Sequence, residues 1–172
     1  ALNLCDEFKN NNNEYLINNL RGAIYSLKNN QETAEKYFRI SHEQNKIFED
    51  PLKNLYIINL KKKKFIESIN IANKLCKINN KNDLYFYQLG YAYELNNNNN
   101  LAIYNYDKCI NLNGTNKIKA LNNTGSIYLR NNKIKTSLKY FLTFHGKLSN
   151  SNVCSCVSID PLLSLDNKSY NK

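Results

Sequence analysis

Three glycines of this chain recur at a single phase. Gly22 and Gly90 stand two periods of 34 residues apart, and Gly125 follows Gly90 by 35 residues. Each is followed three residues on by a tyrosine, at Tyr25, Tyr93 and Tyr128, and twelve residues on by a small residue, at Ala34, Ala102 and Ser137. The slot midway between Gly22 and Gly90 falls on Tyr56, and there the small residue twelve on is Ser68. A fixed period with small residues at constant phase means one supersecondary unit stacked several times. With only five glycines in 172 residues, abundance does not explain the alignment.

Each small residue opens a stripe spaced by four and then three residues, which keeps one helical face. The stripes are Ala34, Phe38 and Ser41; Ser68, Ala72 and Leu75; Ala102, Tyr106 and Cys109; and Ser137, Phe141 and Phe144. They read as the buried faces of second helices, with the glycine–tyrosine pairs marking a first helix ahead of each. Glycine inside a helix costs about 1 kcal/mol relative to alanine, so its presence implies that another helix backbone comes close there. The spacing predicts helices at 15–28 and 31–44, 50–61 and 65–78, 83–95 and 99–112, and 117–130 and 134–147. Asparagine-rich links suit the short turns between them. The run Asn96 to Asn100 is a turn plus a helix start in this frame, and Lys61 to Lys64 reads as a solvated turn.

The pattern L-G-x-x-Y followed by A-x-x-x-F/Y-x-x-A at this period resembles the tetratricopeptide repeat. The best copy is Leu89-Gly90 with Tyr93, Ala102, Tyr106 and Cys109; cysteine replaces the usual alanine at the last position. The first copy has Arg21 where leucine is expected, and the second has drifted furthest, with Tyr56 for glycine and Asn59 for tyrosine. The fourth is displaced by one residue, which places an insertion near Gly114-Thr115. The consensus tryptophan and the unit-ending proline are absent from all copies; Asn79-Asn80 and Asn113-Gly114 serve as helix stops. The resemblance implies an all-α, right-handed superhelical solenoid of antiparallel helix pairs. It divides residues 15–151 into four units at 15–48, 49–82, 83–117 and 118–151. Residues 1–14, where Ala1, Cys5 and Phe8 keep second-helix spacing, read as the remnant of a preceding repeat plus a link, and so as part of a longer array. Residues 152–172 read as a tail or short cap around Pro161 to Leu165.

Composition narrows the function classes. Asparagine, lysine, isoleucine and tyrosine all have AT-rich codons, so base-composition bias accounts for their abundance without a functional reading. The chain carries a net charge of +10, but 24 basic residues include only Arg21, Arg39 and Arg130 as arginines. Forked recognition of phosphate or guanine favours arginine, so lysine-mediated binding to nucleic acid or another anionic surface is the alternative reading rather than the first. Five cysteines in no zinc or redox spacing read as reduced and intracellular, cytoplasmic or nuclear. No apolar run approaches membrane-spanning length. His42 and His145 fall near second-helix ends, where exposed caps are the expectation, and no nucleophile–base pair or phosphate loop marks an enzyme. The sequence implies neither catalysis nor a metal or cofactor.

Arrays that this chain resembles hold a peptide or partner helix in a concave groove lined by first helices. Carried onto this frame, the groove comprises Leu16, Asn19, Ala23 and Leu27; Lys53, Asn54, Ile57 and Lys61; Leu84, Tyr87, Gln88, Tyr91 and Leu95; and Lys119, Asn122, Asn123, Ser126 and Arg130. The third set is aromatic and apolar, while the second and fourth carry cations. The expected partner is a protein or peptide, acidic with one or two apolar anchors, or a neighbouring helix. The competing reading of Tyr87 and Tyr91 is packing against adjacent helices alone. One ligand class of the family is excluded. Its chaperone-tail clamp needs lysine and asparagine, then asparagine, then lysine and arginine, in successive units. The corresponding slots hold Asn19, Ala23, Asn54, Leu84 and Gln88 in one frame, and Lys53, Ile57, Gln88, Lys119 and Asn123 in the next. Neither frame supplies the set.

Overall fold

The computed structural model describes residues 13–145. Among them are eight helices and no strand: α1 (Glu14–Leu27), α2 (Gln31–Gln44), α3 (Asp50–Lys61), α4 (Phe65–Ile78), α5 (Asp83–Leu95), α6 (Asn99–Leu112), α7 (Lys117–Arg130) and α8 (Ile134–His145). Each packs on its neighbours in sequence, and first helices also meet directly, α1 on α3 and α5 on α7. The readings of residues 1–12 and 146–172, and of the Phe144 and His145 side chains, lie outside what is described.

The turns inside the helix pairs explain why asparagine suits this chain. Asn29, Lys63, Asn97 and Asn132 each take a left-handed conformation, with φ between 56° and 59°. The following N–H reaches back five residues, from Asn30 to the Tyr25 carbonyl, Lys64 to Asn59, Asn98 to Tyr93 and Lys133 to Tyr128. The left-handed residue itself bonds three back, as Asn29 does to Ser26 and Asn97 to Glu94. These paired bonds are the Schellman closure of a helix C-terminus. Asparagine tolerates the left-handed well better than most residues. The next residue then caps the following helix: Asn30 Oδ1 accepts from the Thr33 N–H at 3.2 Å, and Asn98 Oδ1 from the Leu101 N–H at 3.2 Å. Three residues thus end one helix, reverse the chain and start the next. Lys63-Lys64 supplies the backbone bonds of this turn but no side-chain cap.

The second-helix stripes are the core. Ala34, Phe38, Ser41, Ser68, Ala72, Leu75, Ala102, Tyr106, Cys109 and Ser137 are all buried, as the spacing requires. The glycines differ from expectation. A Cβ on Gly22 would lie 2.7 Å from the Phe38 ring, on Gly90 2.7 Å from Tyr106, and on Gly125 2.8 Å from Phe141. An aromatic ring sixteen residues on, rather than an approaching backbone, fills each slot; only at Gly90 is a backbone atom, the Ala102 carbonyl at 3.1 Å, also close. Tyr56 inverts the pair. Sixteen residues beyond it stands Ala72, fully buried, while Tyr56 is itself buried and donates its hydroxyl to the Gln88 carbonyl at 2.7 Å. What the sequence presents as drift in the second copy is an exchange of volume between two facing positions.

Polar bonds tie successive pairs together at offsets close to the period. Asp83 accepts from the Asn116 backbone N–H at 2.7 Å, and the turn folds so closely over it that a Cβ on Gly114 would strike the carboxylate. This is the segment to which the sequence assigns the extra residue. Lys62 Nζ donates to Glu35 at 2.8 Å, so one lysine of the Lys61–Lys64 run is held while the other three are exposed. Burial raises the Glu35 carboxyl, but bonds from Lys62 and Arg39 outweigh it and hold its pKa below the usual range. His42 contradicts the expectation of an exposed cap. It is only 7% exposed, and its Nδ1 has no hydrogen-bond partner. Burial, then the nearby Lys74 and Lys46, lowers its pKa.

Candidate functional site

The first helices α1, α3, α5 and α7 carry every residue assigned to the groove, at equivalent positions of successive pairs. On α1, Leu16, Leu20, Ala23 and Leu27 follow a spacing of four, three and four residues, which draws one narrow stripe along the helix. Leu20 is 52% and Leu27 86% exposed, and Leu16 is exposed with them. Ala23 is half-buried against the core. On α3, Ile57 is exposed and Asn54 half-buried. On α5, Tyr87 and Tyr91 stack in parallel with centroids 6.4 Å apart, and Tyr87 also tilts against the buried Tyr106 at 5.7 Å. Tyr87 is therefore committed to packing, while Tyr91 keeps 37% of its surface open. Leu84 packs against the core. The face thus offers leucine, isoleucine and tyrosine surface from three successive first helices.

Its polar residues are less available than the sequence suggests. Lys53 bonds Asp50 at 3.0 Å and pairs with Glu49 at 3.3 Å. Burial would lower the Lys53 pKa, but its bonds to Asp50 and Tyr85 raise it above the ordinary value. Arg130 donates to Glu94 Oε1 at 2.6 Å. The other oxygen of Glu94 accepts from the Tyr106 hydroxyl at 2.8 Å, and Asn123 donates to that same hydroxyl at 2.9 Å. Two of the four assigned groove cations are thus neutralised within the chain. The other two, Lys61 at the end of α3 and Lys119, are exposed and have no ion pair among the described residues. Two acceptors remain open: Asn19 Oδ1 and Gln88 Oε1 are buried without partners. Such atoms carry a desolvation cost until a donor reaches them.

Leu20 and Glu94 were not among the groove residues read from the sequence. Leu20 had a signal, since it completes the stripe begun at Leu16. Glu94 had a weaker one, standing close to one period before Arg130. No cluster of three or more His, Cys, Asp or Glu side chains able to hold a metal ion occurs among the described residues. Nor is any described helix long and apolar enough to cross a membrane. Cys76 and Cys109 are free thiols, raised by burial to about 11 and about 12 respectively.

No protein-family model matches the chain, and no curated protein matches its sequence. Its structure is similar to that of MamA from Desulfovibrio magneticus RS-1, with a TM-score of 0.70 and 16% identity over 82% of this chain and 79% of that one. Another crystal structure of MamA gives a TM-score of 0.70 and 18% identity, covering 80% of this chain and 82% of that one. The N-terminal domain of stress-induced protein-1 (STI-1) from C. elegans gives 0.61 and 12%, covering 69% of this chain and 98% of that domain. Identities this low carry the fold and leave the partner open. The chain has the fold of a tetratricopeptide-type helical-repeat protein.

Proposed function

We propose that this chain is a protein-interaction scaffold, part of a larger assembly, that holds an apolar-anchored peptide or partner helix along the face of its first helices. The observation that carries the reading is the exposed row Leu16, Leu20 and Leu27 on α1, continued by Ile57 on α3 and Tyr91 on α5. Contiguous exposed apolar surface of this kind marks an interaction site. The spacing of four, three and four along α1 is what a partner helix with its own apolar stripe packs against. Apolar anchors supply most of the affinity, because Lys53 and Arg130 are already paired. An acidic residue of the partner finds its free cations at Lys61 and Lys119. The setting is intracellular, cytoplasmic or nuclear, in keeping with two free thiols.

The test uses the full chain carrying Leu20→Asp with Tyr91→Ser beside the parent protein, both immobilised and exposed to extract of the source cells. Proteins retained by the parent and lost from the variant support the groove. Retention of every protein by the variant overturns it. Titration of labelled single-stranded RNA at two salt concentrations addresses lysine-mediated binding: micromolar affinity with a steep salt slope supports that alternative.

A further inference from the structure

A second surface lies on the opposite side of α5. A cleft of about 330 Å³ opens where α4, α5 and α6 meet, lined chiefly by Cys76, Lys77, Phe86, Leu101, Tyr104 and Lys108. At ~100° per residue, Phe86 projects about 140° around α5 from Tyr91 and the groove row. The cleft is therefore physically independent of the groove. Its volume sits at the low end of the range for ligand pockets and suits one or two side chains rather than a cofactor.

The lining is unusual in two respects. Leu101 and Tyr104 are large apolar side chains left exposed. The Lys108 ammonium lies 4.5 Å from the Tyr104 centroid and 5.5 Å from that of Phe86. Among the described residues, neither Lys77 nor Lys108 has an ion pair, and no aspartate or glutamate lines the cleft. An ammonium held over aromatic rings loses part of its hydration, which favours a carboxylate brought in beside it. Burial keeps the Cys76 thiol protonated, so the cleft has no nucleophile at neutral pH.

This set is not a default of the repeat. One period earlier, Lys74 matches Lys108, but Glu43, Glu67 and Asn70 stand where the cleft has Lys77, Leu101 and Tyr104. One period later, Asn111, Thr136, Lys139 and Thr143 replace Lys77, Leu101, Tyr104 and Lys108. The basic, aromatic cleft is confined to the junction of the second and third helix pairs.

We infer that this cleft is a second docking site, which takes a partner segment presenting a carboxylate next to one apolar or aromatic side chain. The apolar group enters between Phe86, Leu101 and Tyr104, and the carboxylate meets Lys77 and Lys108. Charge complementarity selects this occupant: a cationic one faces two unpaired lysines, and an uncharged one leaves them unused.

The experiment measures fluorescence anisotropy of a fluorescein-labelled Gly-Asp-Leu-Phe-Glu-Gly peptide against the full chain. Both peptides are C-terminally amidated, and Gly-Asn-Leu-Phe-Gln-Gly, whose side chains carry no carboxylate, serves as the control. Lys77→Gln with Lys108→Gln is expected to weaken the acidic peptide at least about tenfold, and exchange of acid for amide in the peptide to do the same. Leu20→Asp with Tyr91→Ser, the groove variant, is expected to leave its affinity unchanged. Far-UV circular dichroism and thermal midpoints matching the parent protein establish that the lysine variant is folded. Absence of binding to the parent protein at millimolar concentration overturns the inference. So does equal binding by the lysine variant, or loss of binding in the groove variant alone. The groove itself is tested by other variants and other partners, so either site can fail without the other.

Discussion

Exchange of volume between facing helices is the feature of this array most open to a quantitative test. In the first pair Gly22 faces the Phe38 ring, whereas in the second Tyr56 occupies the glycine position and Ala72 the ring position. Tyr56→Gly removes a buried ring, at about 3–5 kcal/mol, adds a helical glycine at about 1 kcal/mol, and removes the hydroxyl bond to the Gln88 carbonyl at about 1 kcal/mol. The total, roughly 5–7 kcal/mol, approaches the entire stability of an ordinary domain. Ala72→Phe alone forces a ring against Tyr56 and costs about 1–3 kcal/mol or more. The double variant Tyr56→Gly/Ala72→Phe recreates the arrangement of the other pairs. Its new ring fills the space that Tyr56 vacates, leaving the glycine and hydroxyl costs of about 2 kcal/mol plus imperfect packing. It should therefore be at least about 2 kcal/mol more stable than Tyr56→Gly alone, a coupling within the range for residues in contact. Urea unfolding followed by far-UV circular dichroism on the parent and three variants measures this. A double variant no more stable than Tyr56→Gly would refute the account, because the ring would then not enter the glycine slot.

Two further outcomes follow from local geometry. Lys63 adopts φ 56° in a slot where the other turns place asparagine, so Lys63→Asn should stabilise the chain by a few tenths to about 1 kcal/mol; a lower thermal midpoint would contradict this. Burial, with Lys74 and Lys46, lowers the His42 pKa from its ordinary 6.5, while Glu43 opposes the shift. The unfolded chain then binds more protons than the folded one between the two values, so stability rises with pH through that window and is fully present above about 6.5. Thermal midpoints between about pH 5 and pH 7.5 should climb more steeply for the parent protein than for His42→Leu; parallel profiles would remove His42 as the cause.

Helix boundaries were legible because their determinants are local. The map places seven of the eight helices within one residue at each end, since apolar spacing and left-handed asparagines act over a few residues. Only α1 shifts, by a single residue, and the predicted end of the last helix lies outside the described residues. Candidate groove positions were legible for the same reason, as positions on a repeating face. Their state was legible only in part. Asp50 and Glu49 stand three and four residues before Lys53, a pairing that local helix spacing already offers, whereas Glu94 meets Arg130 only where α5 packs on α7. His42 reads as a helix-end residue, yet it is packed near Lys74 from the next pair.

The amino-acid sequence by itself determined the repeat, its period of 34 residues and the buried stripe of the second helix in the first three pairs; in the fourth, Ser137 is buried and Phe141 half-buried. It did so because a stacked unit must present the same small and apolar residues at the same phase. It also contained the Tyr56–Ala72 exchange, though only the facing of α3 and α4 makes a departure at one position an answer to the other. Tertiary structure alone decided which charges on different helices cancel and which apolar groups stay open. It set Arg130 against Glu94, left the leucine stripe of α1 uncovered, and brought Lys77 from one helix beside Lys108 and two aromatic rings from others. The physical reason is range. Helix periodicity is written within a few residues, whereas clefts and the ion pairs between helices join side chains about one period apart, and only packing decides which of those meet.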